Sequence, residues 1–218
     1  AADLSEESFG QIIDLTGGLV DLEKRVLRTP LDPEKTFEDD PLRIMRAFRF
    51  ASEIDFAPAP EIMPAAFEMR ERLQIVAQER ITDEFMKILA SPNPDTGLIL
   101  LYRTKVMEVI FPEVARLGGV DQRSEYHHKD VFYHTCEVVK NISYNTDDVF
   151  LRFAALMHDI AKPPTKRLVP GVGWTFHGHE ELGARMMKRI FERLKLPFNK
   201  LEYLEKLVRL HLRPMALA

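Results

Sequence analysis

The sequence predicts a mainly α protein, and three observations predict it. Asp40 and Pro41 stand before an apolar-periodic stretch as a capping carboxylate and a proline suited to the first helical position. Prolines and glycines punctuate the rest of the chain at what read as helix boundaries. Four histidines and an aspartate sit on several separate apolar segments, and such side chains can meet only where helices face one another in a bundle core.

In chain order, Ile12-Ile13 and the Gly17-Gly18 turn predict a short strand pair or loop. A helix is expected over about 41–53, with Asp40 as its cap, Arg43 near the same face and Arg46 one turn on. Pro58, Pro60 and Pro64 should break the chain before a helix running from Ala65 through Leu73. Another helix begins near Gln78, Ser91-Pro92-Asn93-Pro94-Asp95 is a turn, and Phe111-Pro112 marks a further boundary. Residues 117–129, with Gly118-Gly119, read as a linker. Beyond it, His134 lies on an amphipathic segment, residues 166–176 form a small hairpin or loop, and Trp174 there is either packing or one side of a substrate mouth.

The chemistry gathers at His158-Asp159, an imidazole and a carboxylate closing the apolar run Ala154-Ala155-Leu156-Met157. Burying that pair costs several kcal/mol unless both are satisfied, and a divalent cation satisfies both at once. Further ligands are sought at His134 and His211, each amid apolar residues, and at His179, which precedes Glu180 at what reads as a helix start. His134 or His211 alone reads more readily as a satisfied core histidine; together with His158-Asp159 they read as a metal site. His127, His128 and His177 sit in polar surroundings and read as surface. Lys162 is either a phosphate contact or an exposed lysine ending a helix before Pro163-Pro164.

His134, then His158-Asp159-Ile160-Ala161-Lys162-Pro163, then Gly178-His179-Glu180 with Gly183-Ala184, then His211, resembles the HD superfamily of metal-dependent phosphohydrolases over roughly residues 125–218. The resemblance implies one metal held by His134, His158 and Asp159 with a more distal aspartate, and a second bridged by Asp159 to His179 and His211. No aspartate follows His211 in the sequence. Mn, Fe, Ni, Co, Zn and Mg all suit such a histidine and carboxylate set, and a bound metal would supply an acidified water for attack on phosphorus.

The other half carries a second resemblance. Gln11 to Leu22, Arg25-Val26-Leu27-Arg28-Thr29, Asp39-Asp40-Pro41-Leu42-Arg43 and Glu79-Arg80-Ile81-Thr82-Asp83-Glu84-Phe85 resemble the class II tRNA nucleotidyltransferases, the CCA-adding enzymes grouped with bacterial poly(A) polymerases. In that family a motif of the form EDxxR templates CTP and ATP; Asp40 and Arg43 match its Asp and Arg, Asp39 stands at its glutamate, and Arg46 follows on the same helix. The architecture implied is a remnant of an α/β catalytic head at 1–34, a helical neck and RNA-binding region at 35–118, and an HD-type helical bundle at 125–218. The family's catalytic aspartates, which hold Mg2+, have no counterpart here, so the chain is expected to be a piece lacking the head and inactive in CCA addition by itself. The implied partners are tRNA, CTP and ATP.

Composition narrows the classes. A 45% hydrophobic chain of 218 residues can bury a substantial core. The single Cys136 excludes an intrachain disulfide and suits a reducing compartment, and no membrane-length apolar stretch occurs, so a cytoplasmic protein with no membrane partner is expected. A net charge of −4 argues against a general nucleic-acid binder, yet residues 185–213 hold nine Lys or Arg against three Glu. That strip reads as a tRNA-phosphate face or as an ordinary solvated helix surface. Two other functions stay open: a free-standing phosphohydrolase acting on phosphoesters such as cyclic nucleotides, and a non-catalytic RNA-binding scaffold.

Overall fold

The computed structural model describes residues 12–124 and 127–213 and is mainly α-helical. At the start, residues 13–17 form a loop, one of the two forms expected there, and Gly17-Gly18 then opens a helix, α1 (Gly18–Glu23). The reason is local: the Asp14 carboxylate accepts from the Gly18 N–H at 2.8 Å and the Leu19 N–H at 2.9 Å, capping the free donors of the first turn. Strand β1 (Val26–Leu27) follows and pairs in parallel with β2 (Ala57–Pro58) across two intervening helices.

The first of these, α2 (Pro33–Asp39), is capped by Asp32, which accepts from the Lys35 N–H at 3.1 Å. The second, α3 (Leu42–Ile54), starts one residue later than the sequence predicts. Its first turn closes tightly, Arg43 N–H to Asp40 C=O at 3.0 Å and Ile44 N–H to Pro41 C=O at 3.1 Å, so regular helix begins only at Leu42. Helical spacing buries Leu42, Ile44, Met45, Phe48 and Ala51 and leaves Arg43, Arg46 and Phe50 exposed on the opposite side.

Pro64 does not break the chain, contrary to expectation. It lies in the first turn of α4 (Ile62–Met69), where a proline forfeits no helical hydrogen bond, and a 3-10 turn over Arg70–Ile75 completes the stretch. Helices α5 (Gln78–Ala90), α6 (Pro94–Arg103), α7 (Val106–Ile110) and α8 (Pro112–Ala115) then build the body, with starts and stops at the expected Gln78, Asn93-Pro94 and Phe111-Pro112. The expected linker contains an antiparallel hairpin, β3 (Asp121–Ser124) with β4 (His127–Asp130), in which Asp121 pairs with Asp130. The side chains of His127 and His128 lie outside the described residues.

The last third is a second helical layer. Asp130 caps α9 (Val131–Ser143) through the Phe132 N–H at 2.9 Å, and Asp148 caps α10 (Val149–Met157) through the Phe150 N–H at 2.9 Å. A short helix, α11 (Lys162–Thr165), leads into the expected hairpin, β5 (Arg167–Val169) with β6 (Gly173–Thr175), and then α12 (His179–Leu194) packs on α13 (Leu201–Leu210). One continuous apolar core joins the layers, with Phe37, Phe48, Phe111, Phe132, Phe153 and Phe191 fully buried. Polar bonds add to it: the Thr82 hydroxyl donates to the Leu194 carbonyl at 2.7 Å, and the Arg193 guanidinium donates to the Ile110 carbonyl at 3.2 Å.

Candidate metal centre and nucleotide pocket

Four elements bring the His/Asp cluster together. His134 stands one turn into α9, His158 caps the end of α10 with Asp159 next, His179 opens α12 and His211 ends α13. The C-terminal turns of α10 and α13 leave carbonyls without helical partners, which hold the His158 and His211 rings in fixed orientations, and a loop carbonyl before α12 does the same for His179. His158 Nδ1 lies 2.7 Å from the Ala155 carbonyl, His179 Nδ1 2.8 Å from that of Phe176, and His211 Nδ1 2.6 Å from that of Val208. With Nδ1 held by a carbonyl, each ring turns its Nε2 toward Asp159.

Asp159 is 2% exposed and its two oxygens divide the cluster. Oδ2 lies 3.0 Å from His158 Nε2, and Oδ1 lies 3.3 Å from His179 Nε2 and 3.9 Å from His211 Nε2. Two groups of donor atoms result, His134–His158–Asp159 and Asp159–His179–His211, each with its ligand atoms within 4.8 Å of one another. Lys162 is buried, which removes the exposed-lysine alternative, and its Nζ stands 2.8 Å from Asp159 Oδ2. Even so, Oδ2 is a buried oxygen that receives no well-aligned hydrogen bond among the described residues. A carboxylate with an unmet lone pair, ringed by imidazole nitrogens, fits a divalent cation on each side.

The electrostatics agree. Burial works to raise the Asp159 carboxyl, but the adjacent His158 and His179 rings and the charge of Lys162 outweigh it and hold the group ionised far below the usual carboxylate range. Burial pushes His134 down, as does the neighbouring charge of His158. Burial likewise lowers His211, against the opposing Val208 carbonyl. At His179 burial is outweighed by the Asp159 and Phe176 bonds, so its value is raised. His177 is exposed, as its polar surroundings predict.

A separate cavity of about 440 Å³ opens at the other end of the molecule, lined by Arg28, Thr29, Leu31, Arg43, Arg46, Ala47 and Phe50 among others. It collects guanidinium groups above an apolar floor. The residues expected to act together near Arg43 take separate partners. Asp40 Oδ1 accepts from the Leu42 N–H at 3.2 Å, while its Oδ2 lies 3.7 Å from Arg80 on α5. Arg43 turns toward α2, donating to the Thr36 carbonyl at 3.3 Å and standing 3.9 Å from Asp39. The division follows from the cap: the unpaired N–H of the first turn draws the Asp40 carboxylate back along the helix axis. Arg28 and Phe50 are lining residues that the sequence reading did not single out. Phe50 was within reach, since its spacing from Arg46 puts both on one helical face.

Comparison with known proteins matches two stretches of the chain to family models. Residues 55–117 match the family model described as probable RNA and SrmB-binding site of polymerase A, and residues 131–218 match the HD domain model. An A-adding tRNA nucleotidyltransferase of Deinococcus radiodurans is 34% identical over 210 residues, 93% of this chain and 48% of the relative. A multifunctional CCA protein of an Acidovorax species is 35% identical over 216 residues, covering 97% of this chain and 49% of that protein. The chain thus spans about half the length of the curated relatives it matches. A solved structure titled as a tRNA-processing enzyme complex shares the fold with a TM-score of 0.63 at 19% identity, over 99% of this chain and 52% of the other. With both matched regions, the relatives and the fold in agreement, this chain belongs to the family of CCA-adding tRNA nucleotidyltransferases and bacterial poly(A) polymerases.

Proposed function

We propose that the chain provides the neck, helical body and HD unit of an enzyme that adds nucleotides to tRNA 3′ ends, with Asp40, Arg43 and Arg46 selecting CTP or ATP. The observation carrying this is the arginine-lined cavity beside α3. Guanidinium groups offer donors only, which suit the carbonyl oxygens and ring nitrogens of a base edge, and a carboxylate at the same helix start adds an acceptor. Asp39 positions Arg43 from the preceding helix. The basic strip at 185–213 contacts tRNA phosphates. Mg2+ for nucleotidyl transfer belongs with catalytic carboxylates outside these residues.

Asp40→Asn in the complete enzyme provides the test, because asparagine still caps α3 while losing the anionic acceptor. Scrambled CTP and ATP incorporation is expected, and unchanged selection would remove the templating role. Incorporation of labelled CTP into end-trimmed tRNA by residues 1–218 alone would overturn the placement of the catalytic centre elsewhere.

The buried His/Asp cluster favours a second activity, hydrolysis of phosphoesters such as cyclic nucleotides. His134, His158 and Asp159 would hold one divalent metal, and Asp159, His179 and His211 a second. Such metals supply Lewis-acid charge and a water acidified to near neutrality. Lys162, already directed into the cluster, is the cation within reach of a phosphate oxygen. Elemental analysis beside His158→Ala, with phosphoesterase assays on the same samples, decides the matter. Metal lost in the variant supports it; no metal in either leaves a non-catalytic RNA-binding scaffold.

A further inference from the structure

We propose that Trp174 and Lys166 form a base-binding wall beside the His/Asp cluster, which directs that site to nucleoside phosphoesters over phosphoesters without a base. The inference rests on the hydrolase reading of the cluster for its consequence but on its own geometry for the binding.

Two cation–aromatic pairs lead away from Asp159. In the first, Lys162 Nζ lies 2.8 Å from Asp159 Oδ2 and 5.5 Å from the centre of the Phe176 ring. In the second, Lys166 Nζ lies 4.6 Å from the centre of the Trp174 ring. The lysines bracket the single turn of α11, so they project to the same side. Trp174 is the middle residue of β6 and Phe176 is the first residue past its end, so the two rings are two positions apart in the chain. The inner pair is fixed in the cluster, since the Phe176 carbonyl holds the His179 ring. The outer pair therefore stands one step outward on the same wall.

That step separates two chemistries. Around Asp159 stand partly buried imidazoles and the buried Lys162 ammonium, which suit a phosphoryl group. Trp174 remains 37% exposed, and Leu168, directly opposite it across the hairpin, is 62% exposed. An accessible indole beside a lysine offers a flat π-face for a base and a donor for its phosphate, a combination that binds bases without selecting among them.

Trp174 is the sole tryptophan of the chain, so its fluorescence reports this site alone. The protein is titrated with adenosine 3′-monophosphate and, separately, with inorganic phosphate. Quenching by the nucleotide and none by phosphate is expected. In calorimetry Trp174→Leu should weaken nucleotide binding by about tenfold, the scale of one lost base–aromatic stack, and Trp174→Phe should restore most of it. Lys166→Ala should weaken it to a lesser degree. Equal quenching by phosphate, nucleotide binding that leaves the fluorescence unchanged, an undiminished affinity in Trp174→Leu, or no nucleotide binding at all would each overturn the proposal. If the nucleotide quenches but is not hydrolysed, the wall stands and only the hydrolase reading fails.

Discussion

His179 Nε2 and His211 Nε2 face each other at 3.3 Å while the other nitrogen of each ring is committed to a backbone carbonyl. Against burial, the bonds to Asp159 and the Phe176 carbonyl favour the protonated form of His179, so its Nε2–H proton stands between the two rings where a cation would have to sit. Cation binding at this end should therefore displace protons, visible as a buffer-dependent heat in calorimetry. His211→Ala should abolish one of two bound metals and Asp159→Asn both, read as metal per chain by elemental analysis. Equal stoichiometry in the two variants would show that Asp159 does not bridge.

The cluster also sets a pH dependence. His134 and His211 are held below the ordinary histidine value of 6.5, chiefly by burial. In the unfolded chain these imidazoles take up protons first. The stability gained by keeping them neutral is thus present above 6.5 and lost as pH falls below it toward their folded values. His179 has the opposite sign: its raised value gives a contribution present below 6.5 that fades as pH rises through the folded value. Asp159 contributes above 3.8 and loses that only in strong acid. Metal should therefore leave as the imidazoles protonate on acidification below about pH 6.5, while Asp159 stays ionised. Dialysis from pH 7.5 downward followed by metal analysis checks this; retention to pH 4 would exclude imidazole ligation.

Gly183 governs how near α13 approaches α12. A Cβ there would stand 3.1 Å from Val208 Cγ1 and 3.4 Å from Ile160 Cγ2, and Val208 carries the carbonyl that orients His211. Gly183→Val should push α13 outward and cost about 1–3 kcal/mol by overpacking. It should weaken the metal on the Asp159–His179–His211 side more than the one beside His134. Denaturant unfolding with metal titration measures both, and equal loss at the two sides would argue against a role confined to α13.

Arg152 is 2% exposed and its guanidinium donates to the carbonyls of Leu89 and Ser91 at 2.9 Å, Thr146 at 2.9 Å and Ser143 at 3.2 Å. It joins the end of α5 to the turn between α9 and α10. Arg152→Lys should destabilise the protein by about 3 kcal/mol, since a single ammonium cannot replace the fork and leaves buried carbonyls unmet. A shift of the urea midpoint at unchanged slope is the expected signature. A midpoint unmoved by the substitution would show that water replaces the guanidinium at no cost.

Legibility followed the range of the forces involved. The starts at Gln78 and Asn93-Pro94, the boundary at Phe111-Pro112 and the 166–176 hairpin were readable because proline geometry and turn residues act within a few positions. Pro64 misled because a proline is admitted in a first helical turn, and nothing in its immediate neighbours announces that the helix has already begun at Ile62. Around Gly17-Gly18 the loop was readable but the helix after it was not, because its cap comes from Asp14, three residues upstream of the first glycine. The residue types of the candidate site, His134, His158, Asp159, His179 and His211, were determined by the sequence alone, since a carboxylate beside an imidazole in an apolar run demands a partner wherever the chain goes.

Only the tertiary structure decided how those residues divide. That Asp159 turns one oxygen to His158 and the other to His179 and His211, that Lys162 is buried, and that Asp40 faces Arg80 while Arg43 faces Thr36 all depend on helix ends distant in sequence. Donor and acceptor identity is carried by each residue. Distance and direction are set by which helices pack together, and packing is a property of the whole core.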